Sequence, residues 1–144
     1  MARSLPAESR AVALARVLLA NDDPASRLTL QTVLEASGYE VDAAASAAEA
    51  VGKLDQNEYE LVLTDLHMES PESGLRVLAY ARMMDYKPAT ALLTTYLKKR
   101  PKQSAEPVLI EAENVPELLD KVADLISERA QRRVRRTLAL RQAV

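Results

Sequence analysis

The segment Tyr59-Glu60-Leu61-Val62-Leu63-Thr64-Asp65-Leu66-His67-Met68 lies near the middle of the chain, and the other elements are arranged about it. Its apolar run, 61–63, is short and bounded by polar residues, a pattern typical of a strand buried on both faces. Such strands belong to parallel sheets whose connections are helices. Because ligands of open α/β sheets bind just outside the carboxyl ends of the strands, Asp65 stands where chemistry is expected. A carboxylate at this place is a helix cap, a metal ligand or a nucleophile.

The composition excludes several classes of site. The 144 residues suffice for one domain with a core, and no apolar run approaches the length of a membrane span. The absence of cysteine excludes disulfides, thiolate zinc sites and thiol catalysis. One histidine and three glycines argue against a histidine-based metal site, a histidine-dependent triad and a glycine-rich phosphate loop. Residues 11–20 are too short and too interrupted for a signal peptide, so we expect a cytoplasmic protein.

Alternating strand and helix patterns predict a five-stranded parallel sheet. The predicted strands lie at 16–20, 39–43, 61–63, 89–94 and 108–110, and helices follow at 24–36, after the capping pair Ser46 and Glu49, at 74–84 and after Asn114. We expect a doubly wound α/β fold with strand order 2-1-3-4-5, the first and last helices on one face and the others opposite. Leu75, Leu78 and Ala81 are expected on the inner side of the third helix. Because Pro101 would break a helix, the fourth helix is expected to be shortened or missing.

Polar side chains end three of these strands. Asn21, Asp22 and Asp23 follow the first strand, Asp65 the third and Thr94 the fourth. In the expected strand order these ends are neighbours, and their oxygens suit Mg²⁺. Asp65 could then accept a phosphoryl group in line, with Thr94 offering its hydroxyl to a phosphoryl oxygen.

Three stretches together resemble the receiver domain of bacterial two-component response regulators, the CheY-like superfamily with a flavodoxin-like fold. They are Val17-Leu18-Leu19-Ala20-Asn21-Asp22-Asp23-Pro24, Leu63-Thr64-Asp65-Leu66-His67-Met68 followed by Gly74-Leu75, and Leu92-Leu93-Thr94. The resemblance covers roughly residues 15–128. It implies that Asp65 is the phosphoacceptor, that Asn21, Asp22 and Asp65 hold Mg²⁺, and that Thr94 is the switch hydroxyl. It also implies two kinds of partner: a sensor histidine kinase or phosphotransfer protein, and a downstream protein.

The chain departs from the family's pattern around this site. Asn21 keeps an oxygen but lacks a charge, so weaker Mg²⁺ binding is expected. Glu69 stands where the family usually has proline, in a loop about one residue longer. Glu111 and Ala112 replace the family's Lys-Pro pair, and the glutamate reverses the charge near Asp65. The nearby lysines Lys98, Lys99 and Lys102 could supply a cation instead.

Charge is distributed unevenly between an acidic body and a basic tail. Residues 1–128 hold all 21 acidic residues and carry a net charge of −8, whereas the last sixteen carry six arginines and no acid. We divide the chain into an N-terminal arm at 1–14, a receiver domain at 15–128 and a basic helical extension at 129–144. The extension's apolar stripe, Ala130, Val134 and Leu138, favours contact with a partner or a homodimer. The alternatives are contact of the arginines with nucleic acid or an acidic surface, and a solvated, frayed end. Nucleic acid is the less favoured partner, and single-strand binding is disfavoured because no aromatic residues accompany the arginines.

These observations predict a stand-alone, atypical receiver of a two-component phosphorelay that acts by protein–protein contact. The first alternative is a phosphorylation-independent pseudo-receiver that serves as a scaffold or oligomerisation module. The second is a nucleic-acid-associated protein that uses the arginine-rich tail. An enzyme such as a phosphatase is the least favoured class, because no general acid or base accompanies Asp65. No membrane contact is expected.

Overall fold

Five parallel strands form one sheet in the computed structural model, which describes residues 13–94 and 107–142. The strands are β1 Arg16–Ala20, β2 Glu40–Ala44, β3 Leu61–Asp65, β4 Ala89–Thr94 and β5 Leu109–Glu111. The helices are α1 Pro24–Ala36, α2 Ala47–Gln56, α3 Ser73–Arg82 and α4 Val115–Gln142. The sheet order β2-β1-β3-β4-β5 confirms the predicted doubly wound α/β fold. The N-terminal arm expected at 1–14, and the shortened or missing helix expected between β4 and β5, fall mainly on residues outside the described ranges.

The helices cover the two faces of the sheet as predicted. On one face, α1 and α4 bury leucine and valine side chains against the strands: Leu30, Leu34, Leu118 and Val122. On the other face, α2 and α3 contribute Ala50, Leu54, Val77 and Ala81. Removing these apolar side chains from water contributes roughly 1.5–3 kcal/mol for each larger one. The central strands are therefore buried on both sides, which explains why they read as continuous apolar runs.

Polar side chains determine where the helices begin. Asp23 precedes Pro24 and accepts a hydrogen bond from the Ser26 backbone N–H at 2.9 Å, which caps α1. The predicted capping pair of α2 is confirmed, since Ser46 Oγ accepts from the Glu49 N–H at 3.1 Å. The Glu49 carboxylate in turn accepts from the Ala45 N–H at 2.8 Å. Local sequence therefore supplies the cap of α1 and a capping pair at the start of α2.

The inner side of α3 differs from the prediction at one position. Leu78 and Ala81 are buried as expected, whereas Leu75 is 46% exposed and the prediction for it is wrong. The buried stripe instead contains Gly74 and Val77. The stripe is displaced because the helix approaches the sheet through Gly74, which has room against β3 only without a side chain.

Helix α4 extends past the body of the domain. Arg129 is its last buried residue within the described part of the chain, and only 7% of its surface is exposed. Its guanidinium donates to the carbonyl oxygens of Tyr86 at 2.6 Å and Lys87 at 2.9 Å, which fastens α4 to the loop before β4. From Ala130 to Gln142 every residue is exposed, a length of about 20 Å at 1.5 Å per residue. None of the helices in the described ranges is long and apolar enough to cross a membrane.

Candidate functional site

The predicted site residues lie at the carboxyl edge of the sheet. Asp65 is the last residue of β3, and the β1–β3 pairing aligns Ala20 with Thr64, so Asn21 and Asp22 emerge next to it. The β3–β4 pairing places Asp65 opposite Leu93, one residue before Thr94. The parallel register thus brings the ends of β1, β3 and β4 together, as the strand patterns indicated.

Asn21 supports the loop that carries the acidic residues. It is buried, its Oδ1 accepts from the Asp23 N–H at 2.9 Å, and its Nδ2 donates to Ser26 Oγ at 3.1 Å. Its backbone carbonyl accepts from Arg27 Nη1 at 2.9 Å. Asn21 thus holds the turn in place. Asp22 and Asp23 are both exposed carboxylates of this loop, and Asp22 has the larger effect on Asp65.

The carboxyl group of Asp65 is harder to ionise than an ordinary aspartate. Burial, followed by the negative charge of Asp22, raises its pKa from 3.8 to about 6. The charge of His67 and a hydrogen bond from the Leu66 backbone act in the opposite direction but are smaller. At neutral pH the Asp65 carboxylate is therefore negatively charged and is repelled by Asp22. Binding of a cation, or reaction with an electrophile, would reduce this repulsion.

This pKa gives a prediction for stability. The unfolded carboxyl loses its proton near pH 4 and the folded one near pH 6, so the folded protein loses stability as the pH rises through this window. Asp65→Asn removes the effect and is expected to raise the melting temperature at pH 7 but much less at pH 4. Melting curves of both proteins between pH 4 and 8 measure it. Because the charge of His67, the one histidine of the chain, acts on Asp65, both proteins should also be compared in a His67→Gln background. A pH-independent difference would contradict the prediction.

Thr94 and Glu111 lie side by side on neighbouring strands. The β4–β5 pairing places Thr94 opposite Glu111, and the Ala112 N–H donates to the Thr94 carbonyl at 2.8 Å. Glu111 is half-buried and ends β5, two strands from Asp65. The lysines proposed as substitutes, Lys98, Lys99 and Lys102, lie outside the described residues.

Glu69 has a role that the sequence did not reveal. Its carboxylate accepts from the Ala47 N–H, at 3.0 Å to one oxygen, so the loop after β3 caps α2. Hydrogen bonds from its own backbone N–H and from Ala47 lower the pKa of Glu69. A carboxylate at a helix start is favourable, but its partner is 22 positions away, so no local pattern indicates it.

The side-chain oxygens near Asp65 fit a Mg²⁺ ion that is held by few protein ligands. Within residues 13–94 and 107–142, no group of three or more His, Cys, Asp or Glu side chains is placed to hold a metal. Asp22 and Asp65 supply two carboxylates, and the Asn21 amide oxygen is a candidate third ligand. Mg²⁺ keeps several waters and commonly uses one or two carboxylates, so this set suits it.

Comparisons with known proteins agree with this geometry. The profile of the response regulator receiver domain family matches residues 17–124. The sensory/regulatory protein RpfC of Xanthomonas campestris is 29% identical over 119 residues, which cover 76% of this chain but only 16% of RpfC.

Solved structures are also similar to this chain. Response regulator TrrA of Thermotoga maritima, solved with Mg²⁺ and beryllofluoride, is 31% identical with a TM-score of 0.66, over 78% of this chain and 99% of TrrA. The structure of TrrA in complex with the histidine kinase ThkA also matches this chain, at 30% identity and a TM-score of 0.66, over 78% of this chain and 98% of the matched chain. The parallel sheet, the carboxylates at its edge and the matched profile together show that this chain belongs to the response regulator receiver domain family of two-component signalling.

Proposed function

We propose that Asp65 accepts a phosphoryl group from a histidine kinase or phosphotransfer protein. A carboxylate oxygen of Asp65 would attack the phosphorus of a phosphohistidine, the P–N bond would break, and the imidazole would leave with its electron pair. The product on this chain is an aspartyl phosphate. The complex of TrrA with the kinase ThkA supports a partner of this kind.

The observation that carries the proposal is the environment of Asp65. With a pKa of about 6, the carboxylate is ionised at neutral pH and is partly shielded from water. Asp22 is near enough to raise that pKa, so the two carboxylates would hold Mg²⁺, with Asn21 supporting the loop that carries Asp22. When bound, the ion would offset the negative charge of the transferring oxygens. TrrA was solved with Mg²⁺ and beryllofluoride, which supports this cofactor.

We assign Thr94 the role of the switch hydroxyl. It ends β4 one residue beyond the partner of Asp65, so a modest movement would bring its hydroxyl to a phosphoryl oxygen. Aspartyl phosphate would then be read by a downstream protein through contact with the carboxyl edge.

A phosphorylation-independent signalling module is the second candidate. It is favoured by Glu111, which stands beside Thr94 where a cation would assist transfer. The hydrogen bond of Glu69 to Ala47 also holds the loop after Asp65 in one place without a phosphoryl group.

Beryllofluoride, a phosphoryl mimic, distinguishes the two candidates. We would titrate the full chain with Mg²⁺ and beryllofluoride and follow backbone amide shifts, with Asp65→Asn as control. Saturable shifts that reach Thr94 and vanish in the control are expected. No response at millimolar Mg²⁺ would reject Asp65 as phosphoacceptor and favour the phosphorylation-independent module.

A further inference from the structure

Asp120 and Asp124, on the first half of α4, form no ion pair with the residues that the structure describes. Both are exposed. They are four residues apart on one side of the helix, where like charges destabilise it. Glu117 differs from them, because it pairs with Lys121 Nζ at 3.1 Å. The charges of Asp120 and Asp124 are thus left for a contact outside the domain.

The second half of α4 carries arginines of two kinds. Arg132 and Arg136 line a cavity of about 320 Å³ against the body, together with the acidic Glu58 and Asp85, so opposite charge lies close to them. Arg135 and Arg141 lie further from the body: at 100° per residue they are about 100° and 140° from Arg136, and Arg135 is about 60° from Arg132. Neither has an acidic partner in the ranges that the structure covers.

An apolar stripe lies on the same side of the helix as Asp120 and Arg141, with Asp124 and Arg135 along its border. Ala123, Ala130, Val134 and Leu138 lie within about 80° of one another around the helix axis. All four are exposed, Val134 by 58% and Leu138 by 50%. The stripe lies away from Leu118 and Val122, which pack on the sheet. Ala130 and Val134 also border a cavity with Leu14 and Tyr59 of the body, but both remain exposed, so a partner can cover the stripe.

We propose that a second copy of the chain covers this face, with the two α4 helices antiparallel. Antiparallel packing centred near Ala130 places Asp124 of one copy beside Arg135 of the other, and Asp120 beside Arg141. The two-fold axis repeats both pairs, so one interface contains four. Val134 and Leu138 of each copy then cover the small Ala123 and Ala130 region of the other. Parallel packing would instead place like charges together.

The charge pattern favours a second copy over another acidic partner. A nucleic acid or an acidic protein would use Arg135 and Arg141 but would leave Asp120 and Asp124 unpaired and repelled. Helix α4 begins after the carboxyl end of β5 and extends past the opposite edge of the sheet. The dimer therefore leaves the Asp65 edge accessible, and it does not depend on the proposed phosphorylation.

Charge-reversal variants of the full chain test the proposed antiparallel dimer. One variant carries Asp120→Arg and Asp124→Arg, a second carries Arg135→Glu and Arg141→Glu, and a third combines all four changes. Sedimentation equilibrium should show a wild-type dimer that is weakened at least about tenfold in each of the first two variants. The third should recover the dimer, and a mixture of the first two should form a heterodimer.

Matched controls separate this contact from general charge effects. Arg132→Glu with Arg136→Glu changes the charge equally on the body-facing side and should leave the dimer intact, as should Asp65→Asn. Circular dichroism would verify that each variant is folded. A wild-type monomer at about 0.1 mM, or no recovery in the fourfold variant, would overturn the proposal. Such a monomer, if its binding to duplex DNA is lost on Arg135→Glu and Arg141→Glu, would identify nucleic acid as the occupant instead.

Discussion

Gly74→Ala is expected to destabilise the domain by about 3 kcal/mol or more and to displace α3 from the site. A Cβ at this position would contact the Asp65 carbonyl oxygen far inside van der Waals distance, and the Leu66 carbonyl oxygen at 2.8 Å. Both atoms are backbone at the end of β3, so neither can move aside as a flexible side chain could. Relief requires a shift of α3 or of the strand that carries Asp65. Urea unfolding measures the loss of stability.

Gly52→Ala is the matched control for this substitution. Gly52 lies inside α2, and a Cβ there meets no atom within 4 Å. Alanine in a helix interior is about 0.5–1 kcal/mol more stable than glycine, so this variant should be stabilised. If both variants changed stability by similar amounts in the same direction, the close approach of α3 to β3 would not be what requires Gly74.

Glu111→Lys is expected to accelerate phosphorylation of Asp65 by roughly 10²-fold. A preorganised donor directed at the charge that develops in a transition state is typically worth 10²–10³ in rate. Glu111 ends β5 beside Thr94 and is half-buried, so a charge change there acts on the carboxyl edge with limited screening. The rate of aspartyl phosphate formation from acetyl phosphate and Mg²⁺ measures the effect.

Two further variants separate position from net charge. Glu111→Gln removes only the repulsion and should give an intermediate rate. Glu113→Lys makes the same change of charge two residues later, at an exposed position, and should change the rate little. An equal gain in Glu111→Lys and Glu113→Lys would show that net charge, rather than a cation beside Thr94, controls the transfer.

Much of this fold and part of its site follow from local sequence. The strand at 16–20 and the strand at 89–94 are found at the predicted bounds, and the predicted strands at 39–43 and 108–110 are displaced by one residue. Short apolar runs between capping residues and turns leave few alternatives, because a strand buried on both faces tolerates little polarity. Since parallel strands end at a common edge, the meeting of Asp65 with the loop after β1 also follows from the order of elements.

Tertiary packing determined what no local pattern contains. Three hydrogen bonds join residues that are 22 to 43 positions apart. Glu69 accepts one from the Ala47 N–H, and Arg129 donates two to the carbonyls of Tyr86 and Lys87. Leu75 has the residue type of a core position, yet it is exposed because Gly74 sets how α3 meets β3. Sequence specifies elements through short-range propensity and period. Which arginine is buried and which leucine is exposed depends on distant backbone atoms that become neighbours only when the chain has folded.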